Sequence, residues 1–261
     1  MEILVKVIVC FLAGAGAGLG TGFAGMSAAG IIGPMLLAFG GINAYQAIGI
    51  GLISDVLASA VSAWTYKKHG NLNIKKALVL LTSVLVMTVV GSYVASFLPD
   101  KTMGSMSQIG LLIIGLKFVI KPGRKIKETS HSDEKSGLIK TIIGGCLVGF
   151  ICGFVGAGGG MMLLFVLTSI LGYEIHMAVG TSVFIMTFTA LIGGTSHIVI
   201  GGVPDILTLV LCVIFTLIWA RIASLIANRS SEKVLCRAAG IIMIVTSLAT
   251  ISMLLITNAQ V

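Results

Sequence analysis

The sequence predicts an all-α polytopic membrane protein built from two inverted repeats. Its 261 residues are 57% hydrophobic and only 10% charged, with a mean hydropathy of +1.11. Apolar runs close to the ~20 residues that a helix needs to cross a bilayer recur along the chain. A glycine pattern in the first half also returns in the second. These observations exclude a soluble domain and predict about eight to ten transmembrane segments.

The repeat is a run of glycines spaced mainly by four residues. It recurs 131 residues later without a gap, so that Gly14, Gly18, Gly22 and Gly25 are matched by Gly145, Gly149, Gly153 and Gly156. Glycines four residues apart share one helix face, so we expect these faces to pack closely between the halves. Duplicated chains with glycine-interrupted apolar segments are typical of secondary transporters. We predict repeats at 1–120 and 138–261, joined by a basic cytoplasmic linker at 121–137.

The predicted helices follow the apolar runs and the breaks between them. In the first half the runs are Ile3–Leu19, Ala28–Phe39, Ile42–Tyr66, Ala77–Leu98 and Met103–Ile120. In the second half they are Leu138–Phe154, Met161–Leu171, Ile175–Ile200, Ile206–Ala227 and Cys236–Ile256. Breaks at Gly20–Ser27 and Val155–Gly160 separate the first two runs of each half, because glycine is costly inside a helix. The runs after the breaks are short, which predicts broken or re-entrant half-helices.

Basic residues predict the orientation. The segments 67–76, 117–140 and 221–237 hold 4, 7 and 4 Lys and Arg residues, and the others are Lys6 and Lys101. Five crossings per half would place all three segments on one side, a strong positive-inside bias that four crossings would weaken. The halves are therefore predicted to be inverted in the membrane. Both termini are then outside, and the loops 67–76, 121–140 and 228–237 are cytoplasmic.

The segments after the glycine faces form the predicted substrate site. Free backbone amides at the start of a helix attract anions, because the positive end of the macrodipole lies there. The alternative is that these glycines only permit a sharp turn. Two hydroxyls in the second half could donate to an oxyanion or bond back to their own helix. The predicted substrate-binding residues are Gly25, Met26, Ser27, Gly156, Ala157, Gly158, Gly159, Thr181 and Ser182.

Three ionisable residues within the predicted spans are candidates for ion coupling or gating, because such groups are costly in a bilayer. Asp55 would repel an anion when ionised, so it could carry a coupling proton or pair with a cation. An ordinary buried hydrogen bond is the alternative. His176 and His197 can titrate near neutral pH. Interfacial placement is the alternative for both histidines.

Neither catalytic chemistry nor a cofactor is predicted. Gly20–Gly25 satisfies GxGxxG, but no strand precedes it and its surroundings are apolar, which argues against dinucleotide binding. The five cysteines lie in apolar segments without a CxxC motif, so neither a disulfide framework nor a metal site is expected. The net charge of +8 lies mostly in short loops and does not indicate nucleic-acid binding. We predict that the chain is not an enzyme.

A glycine run followed by an AxGTS sequence, with several further residues in both halves, carries a resemblance to a known family. These features are the glycine run at 153–160 and the Ala178-Val179-Gly180-Thr181-Ser182 sequence, with Ser196-His197 ahead of Gly201 and with Pro34, Ala47 and Gly70 in the first half. This pattern resembles the TauE/SafE sulfite-exporter family over nearly the whole chain. The resemblance implies transport of sulfite, organosulfonates or related small sulfur oxyanions across a bacterial inner membrane.

The first copy departs from this pattern. Met26-Ser27-Ala28-Ala29 replaces the glycine run, and Gly49-Ile50-Gly51 lacks the Thr-Ser pair. If the hydroxyls bind substrate, we expect an asymmetric site that lies mainly on the second half. The leading hypothesis is a secondary transporter that works by alternating access. A passive anion channel on the same scaffold and, less favoured, a membrane-embedded enzyme subunit are the alternatives. The sequence is compatible with a lipid-embedded monomer or oligomer.

Overall fold

The computed structural model describes residues 3–95, 112–113, 115–120, 139, 142–150, 159–169, 171–201 and 204–259. The regular structure in this part of the chain is helical, which confirms the predicted all-α class. Eight helices have defined bounds: α1 Ile3–Ala24, α2 Ala29–Phe39, α3 Ala44–Lys68, α4 Ile74–Ala95, α5 Gly159–Ser169, α6 Ile175–Gly201, α7 Ile206–Arg229 and α8 Glu232–Ala259. Residues 115–120 and 142–150 are also helical.

Four of the described helical stretches are long and apolar enough to cross a membrane. They are Ile3–Ala24, Gln46–Lys68, Ile175–Thr195 and Ile206–Arg229. In contrast, α2 and α5 have only 11 residues each. A helix of that length extends about 16 Å, roughly half of the hydrocarbon thickness of a bilayer. The short helices follow the glycine motifs, at the places where the sequence predicts short segments.

The first helix is longer than the sequence predicts. We expect a break from Gly20 onward, but α1 continues through Gly20 and Gly22 to Ala24, so this prediction is wrong. The reason is tertiary packing. A methyl group on Gly22 would lie 2.5 Å from the Ala223 Cβ and 2.8 Å from the Ser224 amide nitrogen of α7. Contact that close offsets the helix cost of glycine, which is about 1 kcal/mol per residue.

The helices form two compact units, each drawn from both halves of the sequence. The first unit comprises residues 1–72 and 179–230, and the second comprises residues 73–178 and 231–261. The first unit therefore holds α1, α2, α3, α7 and most of α6. The second holds α4, α5 and α8 with the helical residues 115–120 and 142–150.

In the first unit, α1, α3 and α7 run in the same direction. The Lys6 ammonium forms an ion pair with Asp205 at 2.7 Å where α1 and α7 begin, and the Tyr66 hydroxyl of α3 donates to the Gly22 carbonyl near the end of α1. Between these points, the glycine face of α1 rests on α7. A methyl group on Gly18 would lie 2.6 Å from the Thr216 carbonyl oxygen. The short α2 turns back and packs its apolar side chains against the first turns of α1.

In the second unit a glycine face from the second half of the sequence packs against a helix from the first half. This is the reverse of the α1–α7 pairing. The described glycines of the second-half pattern, Gly145 and Gly149, lie against α4 of the first half. Methyl groups there would lie 2.8 Å from the Ser83 Cβ and 2.8 Å from the Val84 Cα. The expected close packing between the halves is therefore confirmed for the described glycine faces.

Candidate functional site

The connection between α1 and α2, here called the α1–α2 break, comprises residues 25–28. Gly25 ends α1 in a left-handed conformation, with a φ of 59°. Its amide donates to the Thr21 carbonyl at 3.0 Å, and the Met26 amide donates to the Gly20 carbonyl at 3.3 Å. A methyl group on Gly25 would overlap the Ser182 hydroxyl. Backbone conformation and space thus both require glycine at this position.

Three buried hydroxyls satisfy carbonyl groups where α1 ends. Thr21 donates to the Met26 carbonyl at 2.9 Å, and Tyr66 of α3 donates to the Gly22 carbonyl at 2.9 Å. Ser182 of α6 donates to the Gly25 carbonyl at 3.3 Å. The last turn of a helix leaves carbonyls without intrahelical partners, and such groups must be satisfied internally when they lie at membrane depth. These hydroxyls therefore stabilise an interrupted helix in an apolar surrounding.

The amide end of α2 has a different partner, a carboxylate from another helix. The N-cap residue Ala28 is helical and offers no side-chain acceptor. Instead, the Asp55 carboxylate of α3 lies close to the Ala28 amide and the Ser27 hydroxyl. Ser59, one turn further along α3, donates to the same carboxylate at 2.8 Å. Asp55 is 1% exposed and lies near the middle of α3.

A polar face on α3 brings this carboxylate to the start of α2. Asp55, Ser59, Ser62 and Tyr66 recur at intervals of four, three and four residues, so they share one side of the helix. We call this set the Asp55 face. Gly51, one turn earlier, allows the approach, because a methyl group there would lie 2.6 Å from the Ala29 Cα. Sequence reasoning missed Ser59, Ser62 and Tyr66, although the helical spacing of polar residues in an apolar run could have indicated them.

One member of the Asp55 face has an unsatisfied polar group. The Ser62 hydroxyl is fully buried and has no hydrogen-bond partner among the described residues. Buried hydroxyls are nearly always paired, since an unpaired one costs free energy. The face therefore retains hydrogen-bonding capacity that the described residues do not use.

Several predicted site residues meet at the α1–α2 break, although not all with free donors. Gly25, Ser27 and Ser182 lie there together with Asp55. The amides of Gly25 and Met26 are already bonded to α1. The Ser182 hydroxyl donates to the carbonyls of Gly25 and Val179. The amides of Ser27 and Ala29 have no backbone acceptor among the described residues.

The remaining predicted residues are placed less completely. Gly156, Ala157 and Gly158 lie outside the described residues, and Gly159 is the first residue of α5. Thr181 is buried on α6 beside Ser182. His176 is partly buried in the first turn of α6, and for His197 only the helical backbone is described. The described part of the chain contains no group of three or more His, Cys, Asp or Glu side chains that could hold a metal ion.

Opposite ends of the first unit differ in charge. Where α1 and α7 begin, Asp205 accepts hydrogen bonds from Lys6 and from Thr208. These bonds, chiefly the one from Lys6, lower the pKa of Asp205 to about 2. Where α3 and α7 end, the Arg221 guanidinium donates to the Thr65 hydroxyl at 3.1 Å and stacks over the Trp64 ring. This second end also carries the basic side chains of Lys67, Lys68 and Arg229.

Comparison with known proteins agrees with the resemblance that the sequence motifs indicate. The profile of the family described as "Sulfite exporter TauE/SafE" matches residues 10–250. The chain is 24% identical over 237 residues to the "Probable membrane transporter protein YdhB" of Bacillus subtilis (strain 168), covering 89% of this chain and 93% of that protein. It is 22% identical to "Probable membrane transporter protein YunE" of the same organism, covering 78% and 81% respectively.

A third relative, from another organism, matches a shorter part of the chain. The chain is 26% identical over 155 residues to the "Probable membrane transporter protein MJ0441" of Methanocaldococcus jannaschii, covering 58% of this chain and 55% of that protein. All three relatives carry the name of a membrane transporter.

Proposed function

Because the chain belongs to the sulfite exporter TauE/SafE family, we propose that it is a secondary transporter for a small sulfur-containing oxyanion. Sulfite and organosulfonates are the substrate class that the family description suggests. The transporter names of the relatives and the four membrane-length apolar helices support transport as the general activity. The proposed location is the inner (plasma) membrane of a bacterium.

The start of α2 is the proposed anion site, and one observation carries this assignment. A helix begins there beside the middle of a membrane-length helix, without a cap from its own N-cap residue. The Ala28 amide and the Ser27 hydroxyl lie instead beside the Asp55 carboxylate, which is itself an oxyanion. Anions favour such helix starts because of the free amides and the macrodipole. Ser27, Ala28 and Ala29 are the proposed donors.

The second-half residues enter this proposal in different roles. Ser182 holds the Gly25 carbonyl in place, whereas Thr181 is a candidate donor to the anion. Gly156, Ala157 and Gly158 are proposed as backbone donors on the basis of the sequence repeat, with Gly159 opening α5 as Ala29 opens α2. Asp55, His176 and His197 remain the candidates for coupling or gating.

Inverted repeats at 1–120 and 138–261 form part of the same proposal. The starts of α2, α3 and α4 precede those of α5, α6 and α7 by 130, 131 and 132 residues, close to the sequence offset. The exchanged glycine packing on α4 and α7 also supports a duplicated fold. We place the basic end of α3 and α7 and the linker 121–137 in the cytoplasm and both termini outside, by the positive-inside rule.

Burial of the site favours alternating access over an open channel. Ala28 and Ala29 are at most 3% exposed, and Asp55 beside them is 1% exposed, so an anion could reach this helix start only after the protein changes conformation. A carrier of this kind exposes its site to one side of the membrane at a time. A channel would instead keep a continuous open path.

The proposed site can be tested with two glycine variants. Gly51→Ala places a methyl group 2.6 Å from the Ala29 Cα and should displace the start of α2, whereas a methyl group on Gly30 meets no atom within 4 Å. We expect sulfite or methanesulfonate to raise the melting temperature of the detergent-solubilised wild type. Gly51→Ala should weaken anion affinity by about tenfold or more, and Gly30→Ala should leave it near that of the wild type.

Flux measurements test the transport mechanism. In proteoliposomes we expect saturable uptake of the bound anion, accelerated by unlabelled anion on the opposite side. Flux that rises linearly with concentration and shows no such exchange would favour a channel. Absence of both binding and flux for sulfite, sulfate, thiosulfate and organosulfonates would refute the proposed substrate class.

A further inference from the structure

Asp55 lies at the start of α2, where the proposed function places the substrate anion. Its carboxylate lies close to the Ala28 amide and the Ser27 hydroxyl at the start of α2, and the Ser59 hydroxyl donates to it at 2.8 Å. The close approach of Gly51 to the Ala29 backbone holds α2 against this part of α3. These contacts give the helix start an anionic partner from within the protein itself.

A second anion at the same helix start would face strong repulsion. Two negative charges a few ångströms apart interact unfavourably, and the interaction grows as water is excluded. Asp55 and Ser59 are almost completely buried, so solvent screens them little. An anion could share these donors with Asp55 only if the carboxyl group carried a proton or moved away.

We propose that Asp55 is an internal competitor of the substrate, so that each anion binds at the start of α2 together with one proton taken up by Asp55. This inference rests on the proposed function, since it names the coupling ion of the same site. Protonation neutralises the carboxyl group, releases the Ser27 and Ala28 donors to the anion, and leaves an O–H group that can itself donate. The unpaired, buried Ser62 hydroxyl, two turns further along the same face, provides another polar group for the anion.

No other charged side chain of the neighbouring segments competes with this assignment. Residues 7–54 and 56–66, which include most of α1, all of α2 and most of α3, contain no Asp, Glu, Lys, Arg or His. The same is true of residues 179–195 of α6 and 206–220 of α7. Tyr66 lies on the Asp55 face, where it donates to the Gly22 carbonyl. Arg221, further along α7, donates to Thr65. The histidines of the described chain are His69, His176 and His197.

The test measures anion affinity as a function of pH with methanesulfonate. This anion keeps its charge throughout the range from about pH 5.5 to about pH 8.5, whereas sulfite itself takes up a proton near neutrality. If binding requires a proton that the empty protein lacks, affinity falls about tenfold for each unit of pH increase. We expect the wild type to approach this slope at the alkaline end of the range.

Asp55→Asn removes the internal charge and keeps the size of the side chain. We expect it to bind methanesulfonate independently of pH, and about tenfold or more tightly than the wild type at the alkaline end. The matched control is Asp205→Asn, which neutralises a carboxylate at the far end of α7 and should keep the wild-type pH dependence. If the pH dependence persists in Asp55→Asn, a histidine is responsible and the inference is refuted.

Proton uptake can also be measured on the wild type, so that the test does not require the Asp55→Asn variant to fold. Calorimetric titration with methanesulfonate in two buffers of different ionisation enthalpy gives the protons taken up per anion, and we expect about one at the alkaline end. Binding without proton uptake would overturn the inference while leaving the anion site intact. Absence of methanesulfonate and sulfite binding at every pH would instead remove the proposed function itself.

Discussion

At the scale of single residues, the glycines of α1 differ in whether a Cβ methyl group would clash with a neighbouring helix. A methyl group on Gly18 would lie 2.6 Å from the Thr216 carbonyl oxygen and 2.7 Å from the Ala220 amide nitrogen. Two residues away on the same helix, a methyl group on Gly16 would meet only the Ile31 side chain, at 3.5 Å. Gly18 is therefore required for the approach of two backbones, whereas Gly16 is not.

This contrast predicts opposite effects on stability. Gly18→Ala should destabilise the protein by about 1–3 kcal/mol, because the packed backbone of α7 must move. Gly16→Ala should be neutral or stabilise it by up to about 1 kcal/mol, through the better helix propensity of alanine. Thermal unfolding of both variants in the same detergent measures the difference. Equal melting temperatures would contradict the described α1–α7 packing.

At the scale of elements, the amides at the starts of α2 and α7 lie beside acceptors from different parts of the chain. Each helix begins with amides that have no intrahelical acceptor. In α7 the N-cap residue Asp205 accepts from the Thr208 amide at 3.3 Å and also pairs with Lys6. In α2 the N-cap residue has no side-chain acceptor, and the Asp55 carboxylate of α3 lies beside the helix start instead. The cap of α7 belongs to its own chain segment, whereas that of α2 depends on the packing of α3.

Substitutions at Asp205 separate its two contributions. Asp205→Asn should keep the cap and lose only the ion pair, which is worth less than about 1 kcal/mol because the Asp205 side chain is 42% exposed. Asp205→Ala should lose about 1 kcal/mol more with the cap. Melting temperatures of the two variants measure the difference, and an Asp205→Ala protein as stable as Asp205→Asn would contradict the capping role.

The contribution of Asp205 to the stability of the protein should also depend on pH. Because the pKa of Asp205 is lowered to about 2 in the folded protein, its ion pair contributes fully above the ordinary aspartate pKa of about 4 and is lost as the pH falls towards 2. The difference in melting temperature between wild type and Asp205→Asn should therefore shrink over that range. A constant difference would indicate another origin for it.

At the scale of the whole molecule, both compact units cross the boundary between the sequence halves. The first unit needs α1 from one half and α7 from the other, and the second pairs α4 with the helical residues 142–150 in the same way. Neither half of the sequence therefore contains a complete unit.

Division of the chain tests this organisation. Residues 1–128 and 129–261 should each be unstable when expressed alone, because the glycine faces would lack their partner helices. Co-expression should restore a complex that co-purifies and binds the same anion as the intact chain. Independent stability of either half, measured by size-exclusion chromatography in detergent, would contradict the exchange of helices between halves.

Much of the fold and part of the site could be predicted because they depend on local patterns. Apolar runs predict helices such as Ile206–Ala227, which ends within two residues of the observed α7, and the motifs at 153–160 and 178–182 indicate the family. The end of α1 was missed because Gly20 and Gly22 break a helix only where no partner packs against them. Ser59 and Ser62 were missed because each is unremarkable without its neighbours on the Asp55 face.

Composition and periodicity are properties of the chain, so the all-α membrane class and the family could be inferred without coordinates. The partner of each interrupted helix is a property of distances between segments far apart in sequence. Asp55 reaches the start of α2 only because Gly51 lets α3 approach the Ala29 backbone. That juxtaposition, which places a carboxylate where an anion was expected, was decided by tertiary packing, since no local pattern encodes which helix start a distant side chain will meet.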